Sequence, residues 1–249
     1  MDELEEIRNL QKELSEHNYR YHVLDEPTIS DYEYDIKLKR LWELEERHPE
    51  AIISSSPTQR GFGKPLDKFK KVDHPAPILS LANAFDKEDL EEWFQRICKL
   101  DSRVTSTGFV LEPKIDGLTV VLRYENGVLI QGATRGDGLQ GEDVTANIRT
   151  IKSVPLRIPV LDKGNNPPKT LLVRGEVFIK KDDFNRLNKV LQENGEKTYQ
   201  NPRNTASGSL RQLDPGITRN RPLSLLAYAI VESSEESPKT QWGLLKYLA

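Results

Sequence analysis

The chain holds one cysteine, Cys98, in 249 residues. That leaves no partner for an internal disulfide and excludes a cysteine-rich zinc site. No hydrophobic run approaches the roughly 20 residues of a membrane span. The opening Met1-Asp2-Glu3, followed by a polar helical pattern, is unlike a signal peptide. The expectation is therefore a cytoplasmic protein with no membrane partner. Neither sign of charge dominates: 36 Lys and Arg against 39 Asp and Glu give a net charge of -3. This argues against nonspecific nucleic-acid binding by the chain as a whole, although local patches remain free to do it. There is no internal repeat. What the chain has in quantity is charge, 30% of its residues, with a mean hydropathy of -0.62. Such a chain has a large polar surface, and its length suits one large domain with a small one.

The texture changes along the chain. Residues 3–48 read as helices: Leu4, Ile7, Leu10 and Leu14 recur at helical spacing. Ser30-Asp31-Tyr32-Glu33 then forms a capping box opening a second helix with Leu38, Leu41, Trp42 and Leu44, ended by His48-Pro49. A Ser/Pro/Gly-rich passage from Ser54 to Pro65 reads as a linker or ordered loop, and the domain boundary is placed near residue 68. After a short helix around Asp86 to Leu100, strands are expected at 118–124 and 128–134, flanking Glu125-Asn126-Gly127, a hairpin signal. A further strand spans Leu171 to Lys180, and an amphipathic helix with Phe184, Leu187, Val190 and Leu191 closes at Gly195. Hairpins mixed with isolated helices define an α+β class: a small helical subdomain over 1–68, then a core of mixed or antiparallel sheets with helices over 69–249.

Gly136-Asp137-Gly138-Leu139-Gln140-Gly141 fits the dinucleotide pattern G-x-G-x-x-G, but its context does not. The strand before it is the second arm of a hairpin rather than the first strand of a parallel βαβ unit. Glu142-Asp143 would also set two negative charges beside a pyrophosphate. A tight turn presenting Arg135, with glycines supplying positive φ, is the better reading.

Lys114, in Leu111-Glu112-Pro113-Lys114-Ile115-Asp116-Gly117, carries the most chemical interest. On a strand, Glu112, Lys114 and Asp116 would share one face. A lysine becomes nucleophilic once its amine is partly neutral; flanking carboxylates work against that, and orient it or bind a ligand or metal instead. An ordinary cross-strand ion pair explains the same triplet. Tyr34, Asp31 and Asp35 sit at helical spacing near Tyr21-His22, a set suited to a cationic aromatic ligand, though tyrosines so spaced also serve as packing. Arg174 and Glu176 share a strand face, as a cross-strand pair or as ligand contacts. The basic stretch Asn201 to Arg211, rich in small polar residues, suits phosphate contact more than a solvated loop.

These segments taken together are Tyr21-His22, Asp31 to Asp35, Ser56 to Arg60, Leu79 to Phe85, Glu112 to Gly117, Thr134 to Gly138, Gly141 to Val144, Arg174 to Glu176, Asn201 to Asn204 and Gly208 to Asp214. In that order and spacing, the chain resembles the N-terminal adenylation region of bacterial NAD-dependent DNA ligases. The resemblance implies that residues 69–249 form a nucleotidyltransferase domain and residues 1–68 a subdomain recognising nicotinamide mononucleotide (NMN). It implies that Lys114 attacks NAD to form lysyl-AMP, assisted by Asp116. It places NMN against Tyr21, His22 and Asp31-Tyr32-Glu33-Tyr34-Asp35, and adenosine against Ser80, Leu81, Glu112, Arg135 and Glu176. Arg203 and Arg211 match arginines tied to phosphate contacts and nick sealing. Magnesium is implied as a cofactor, nicked double-stranded DNA as partner of the full-length enzyme, and a monomer as its state. Zinc is implied only beyond this chain, and no residue here is singled out as a metal ligand.

The departures are Thr205 and Ser207 in place of alanines, Gly61-Phe62-Gly63 in place of Val-Gly, and the end at Ala249. The family's later lysine motifs, OB domain, zinc finger, helix-hairpin-helix region and BRCT domain would follow. The expectation is an adenylation domain incomplete at its C-terminus, unable to seal nicks and weak in self-adenylation. The alternative is a catalytically inactive module that binds NAD or NMN. An ATP-dependent capping or RNA-ligase activity is disfavoured by the Tyr21 to Asp35 segment.

Overall fold

The computed structural model describes residues 2–24, 26–60, 68–160 and 166–249. Helices α1 (Glu3–Tyr19) and α2 (Asp31–Arg47) pair along their apolar stripes. Ile7, Leu10, Leu14, Leu41 and Leu44 form one buried cluster there. The capping box is present: Ser30 Oγ accepts from the Glu33 N–H at 3.2 Å, and Glu33 Oε2 accepts from the Ser30 N–H at 2.8 Å. Trp42, expected on the apolar stripe, is instead 57% exposed. Between the helices α1 runs into a π-helical turn, Arg20–Leu24. Gly61-Phe62-Gly63 and much of the expected boundary region lie outside the described residues.

The remainder is α+β. In chain order it contains β1 (Lys71–Asp73), α3 (Lys87–Leu100), β2 (Leu118–Glu125), β3 (Val128–Thr134), β4 (Gln140–Glu142), α4 (Thr145–Ile148), β5 (Thr170–Ile179), α5 (Lys181–Glu193), α6 (Pro202–Leu210), α7 (Pro215–Arg219), β6 (Leu223–Ser233) and α8 (Gln241–Leu248). The main sheet has the order β3-β2-β5-β6, and every pairing is antiparallel; β1 pairs with β4 in a small second sheet. The β2–β3 hairpin turns at Asn126 (φ 47°) and Gly127 (φ 79°), as its Asn-Gly predicts. The glycine-rich run after β3 is a turn, with Gly136 and Gly138 at positive φ, and β3 is indeed the second arm of a hairpin.

Because strand side chains alternate, the two faces of this sheet differ. Val120, Leu122 and Tyr124 of β2 and Leu171, Val173, Val177 and Ile179 of β5 face a buried core with Ile148, Ile151, Val154, Ala206 and Leu210. The intervening residues, Thr119 and Val121 opposite Glu176 and Arg174, lie on the other face. There Val121, Leu172 and Ile78 form a small apolar cluster beside a polar patch.

One expectation needs correction, and several elements were not foreseen. Glu112, Lys114 and Asp116 do not lie on a strand; β2 begins only at Leu118. Its partner β5 ends at Ile179, two residues past the Leu118↔Val177 pair, and turns into α5 at Lys181, so no strand residue remains to pair with Lys114 or Glu112. The arginine-bearing stretch, to which the sequence pattern assigns no secondary structure, is α6: Asn201 Oδ1 accepts from the Asn204 N–H at 3.0 Å, and Pro202 occupies the first turn. The edge strand β6 and helix α8 were not expected at all.

The helical pair meets the sheet through backbone carbonyls. Arg60 donates to the carbonyls of Arg149, Ile151 and Val154 at 3.4, 3.0 and 2.9 Å, and Asn18 Nδ2 donates to Lys152 O at 2.8 Å. Arg149 returns a bond to Ser54 O. The turn delivering Arg60 is anchored by buried Glu45, whose carboxylate accepts from Gln11 Nε2 and Ser56 Oγ at 2.8 and 2.7 Å and also from Thr58 Oγ1.

Candidate active site

The polar sheet face is built around Glu176, 8% exposed, whose Oε2 accepts from Thr119 Oγ1 at 3.0 Å. Burial pushes its carboxyl pKa up. The Thr119 bond, the charges of Lys114 and Arg203, and the Gly117 N–H oppose that rise. Lys114 itself is exposed on the extended segment before β2. Asp116, two residues along, forms an ion pair with Arg203 Nε at 3.5 Å. Glu112 Oε1 accepts from Gln241 Nε2, at the start of α8, at 2.8 Å. Arg135 Nη1 donates to Ser80 Oγ at 2.6 Å, and Leu81 beside it is 73% exposed. Lys114, Asp116, Glu176 and Arg203 thus come together, with Ser80 and Arg135 joined to each other. Arg211 stands apart, bidentate on Glu142 of β4 at 2.7 and 3.2 Å.

A second group lines a cleft of about 900 Å³ between the helical pair and the sheet domain. Asp31, Tyr34, Asp35, Leu38, Lys39 and Trp42 form one helical stripe along its wall. The π-helical turn sets Tyr21 and His22 beside it, their rings 4.7 Å apart at 60°. Tyr32, off the stripe and 75% exposed, does not line the cleft, and Glu33 is held in the capping box. Sequence reasoning missed Trp42, Arg60, Lys152 and Arg219. Trp42 was within reach, seven residues beyond Asp35 on the same stripe. The three cations come from distant segments and carry no local signal. The cleft thus offers aromatic rings and two acids on one wall and cations on the other.

His22 is pushed down from 6.5 to about 4 by burial, then by the charges of Lys152, Arg60 and Lys180. Between those values the unfolded state binds the extra proton, so acid withdraws stability. Wild-type protein should therefore lose melting temperature more steeply than His22→Gln as pH falls from 6.5 to about 4. Parallel curves for the two proteins over that window would refute the assignment. Among the described residues no helix is long and apolar enough to cross a membrane, and no group of three or more His, Cys, Asp or Glu could hold a metal ion.

An antiparallel α+β core in which a sheet-face carboxylate, Glu176, meets a lysine and a carboxylate from the segment before β2 and an arginine from α6 is consistent with a nucleotidyltransferase-type fold. The family model for the NAD-dependent DNA ligase adenylation domain matches residues 66–249, and that for the DNA ligase-like, N-terminal NAD+-binding domain matches residues 1–61. The chain belongs to the NAD-dependent DNA ligase adenylation-domain family. It is 49% identical to a DNA ligase of Roseiflexus castenholzii and 51% identical to one of Halothermothrix orenii, over 99% and 98% of its own length. A DNA ligase of Chloroflexus aggregans is 47% identical over the whole chain. The chain spans 35% of the first two relatives and 37% of the third.

Proposed function

We propose that this chain is the adenylate-forming part of an NAD-dependent DNA ligase. The observation that carries the reading is the position of Lys114, a solvent-accessible amine beside buried Glu176 and the Asp116–Arg203 pair. The deprotonated Nζ attacks the adenylyl phosphorus of NAD. A P–N bond forms, the P–O bond to NMN breaks, and its electron pair leaves on the NMN phosphate. The proton lost from the amine passes to solvent. Asp116 is assigned to orienting the amine and Arg203 to the reacting phosphate, a division that their mutual ion pair supports.

Ser80, Leu81, Glu112, Arg135 and Glu176 are assigned to adenosine, and Tyr21, His22, Asp31, Tyr34 and Asp35 to NMN. In the NMN cleft the acids offset the pyridinium charge and the rings stack on it. The described residues offer no cage for magnesium, so an ion would be held by the pyrophosphate oxygens, whose charge it would neutralise. In the whole protein AMP then passes to the 5′-phosphate of a DNA nick, with Arg203 and Arg211 on phosphate, and the 3′-hydroxyl displaces it. That places the enzyme, as a cytoplasmic monomer, in DNA replication and repair. The residue division follows the same logic, with the helical NMN part over 1–68 and the adenylation part over 69–249.

Intact mass spectrometry after prolonged incubation with magnesium and either NAD or ATP tests this. A gain of one adenylyl group from NAD with release of NMN is expected, and none from ATP. An adduct from ATP alone would reassign the chain to the ATP-dependent nucleotidyltransferases. No adduct with NAD, yet calorimetric binding, would leave a binding module without chemistry.

A further inference from the structure

Arg174 lies on the polar sheet face of β5, between the Thr119–Glu176 pair and the apolar cluster of Ile78, Val121 and Leu172. Its Nη1 donates to the Leu79 carbonyl at 3.2 Å. Its guanidinium sits 5.1 Å from the centre of the Tyr228 ring. A bulge makes that contact: Arg174 pairs with Ala229 and Gly175 with Ala227, so Tyr228 is the extra residue on β6. The guanidinium thereby ties two walls together. One wall is the 78–81 segment, whose Ile78 N–H is bonded to Gly138 O at 2.8 Å and whose Ser80 is bonded to Arg135. The other is Tyr228, next to Glu176 and Thr119. Among the described residues Arg174 Nε is buried without an acceptor, so that edge of the guanidinium is enclosed between the two walls rather than open to a ligand.

We propose that Arg174 is a positioning residue for the adenosine half of the substrate: its guanidinium fixes the Leu79 to Leu81 wall against Tyr228, so that this wall and the tyrosine ring meet the nucleoside in a set geometry. The inference rests on the adenylation reading above and extends it to a residue outside the assigned set. Lysine cannot replace arginine there. It keeps a charge near the ring, but its point-like ammonium cannot hold the Leu79 carbonyl and lay a planar group against Tyr228 at once.

Calorimetric titration of wild type, Arg174→Met and Arg174→Lys with AMP and with NMN tests this. AMP affinity should fall about 10- to 100-fold in the methionine variant. Lysine should fail to restore it, and NMN binding should stay at the wild-type level because its cleft is lined by other residues. AMP binding within about twofold of wild type in either variant, or equal loss of AMP and NMN binding, overturns the proposal. Wild-type protein that takes up no AMP overturns the parent reading instead, and the arginine's role with it.

Discussion

Replacing Lys114 by arginine is expected to abolish the adenylyl adduct formed from NAD, by at least about a thousandfold in rate, while leaving NAD binding within a few-fold of wild type. Arginine separates the two things that this lysine supplies. It preserves a positive charge in the field of Glu176, whose carboxyl is raised by burial and held back partly by Lys114 and Arg203. It cannot supply a neutral amine, because guanidinium stays protonated at any relevant pH. Lys114→Ala removes both properties and should lose the adduct together with part of the affinity. The position is exposed and precedes β2, so neither change disturbs the packed core. Parallel circular dichroism melts should therefore superimpose on wild type. Mass spectrometry after incubation with NAD reads the outcome, and an adduct persisting in Lys114→Arg would place the nucleophile on another residue.

The features that the sequence made legible are those whose chemistry is local. Asn126-Gly127 dictates its own hairpin, because the two residues supply the positive φ of the turn. Ser30 and Glu33 close their own capping box across three residues. The Asp31, Tyr34 and Asp35 wall of the cleft follows from helical spacing alone. What escaped depends on partners far away in the chain. Lys114 was placed on a strand because its neighbours alternate, yet strands need partners, and β5 turns into α5 before it can provide one. β6 was overlooked because two bulges break its alternation, so Leu223 and Leu225 but also Ile230 reach the same core. α6 carried its cap and first-turn proline in plain view, but its small polar residues read as a phosphate-contacting stretch rather than as a helix. Their smallness instead lets Ala206 and Ser209 bury against the sheet. Arg60 could not be assigned at all, since its acceptors are three carbonyls some ninety residues downstream.

Gly117→Ala should be damaging too, though less so than loss of the lysine, for a reason that no strand pattern conveys. Gly117 does not need glycine for its dihedral angles; it needs it for close approach. A Cβ there would sit 2.1 Å from the Val177 carbonyl oxygen, 2.9 Å from its carbon and 3.1 Å from Glu176 Cγ. The obstructing atoms are backbone of β5, which is bonded to β2 on one side and β6 on the other, so they cannot yield. The segment carrying Lys114 must move instead. Overpacking of this kind costs about 1–3 kcal/mol of stability, and displacing the amine by about 1 Å costs on the order of 100-fold in rate. The shift also breaks the Gly117 N–H contact that steadies the Glu176 carboxylate. Gly208→Ala in α6 is the matched control, because nothing lies within 4 Å of its added methyl. Alanine in a helix interior should leave that variant as stable as wild type or about 0.5–1 kcal/mol more so. Adduct rates and melting temperatures of the two variants decide the matter. If Gly117→Ala adenylates within about threefold of wild type, the lysine segment is not held in place by its contact with β5, because a seated amine could not tolerate that displacement.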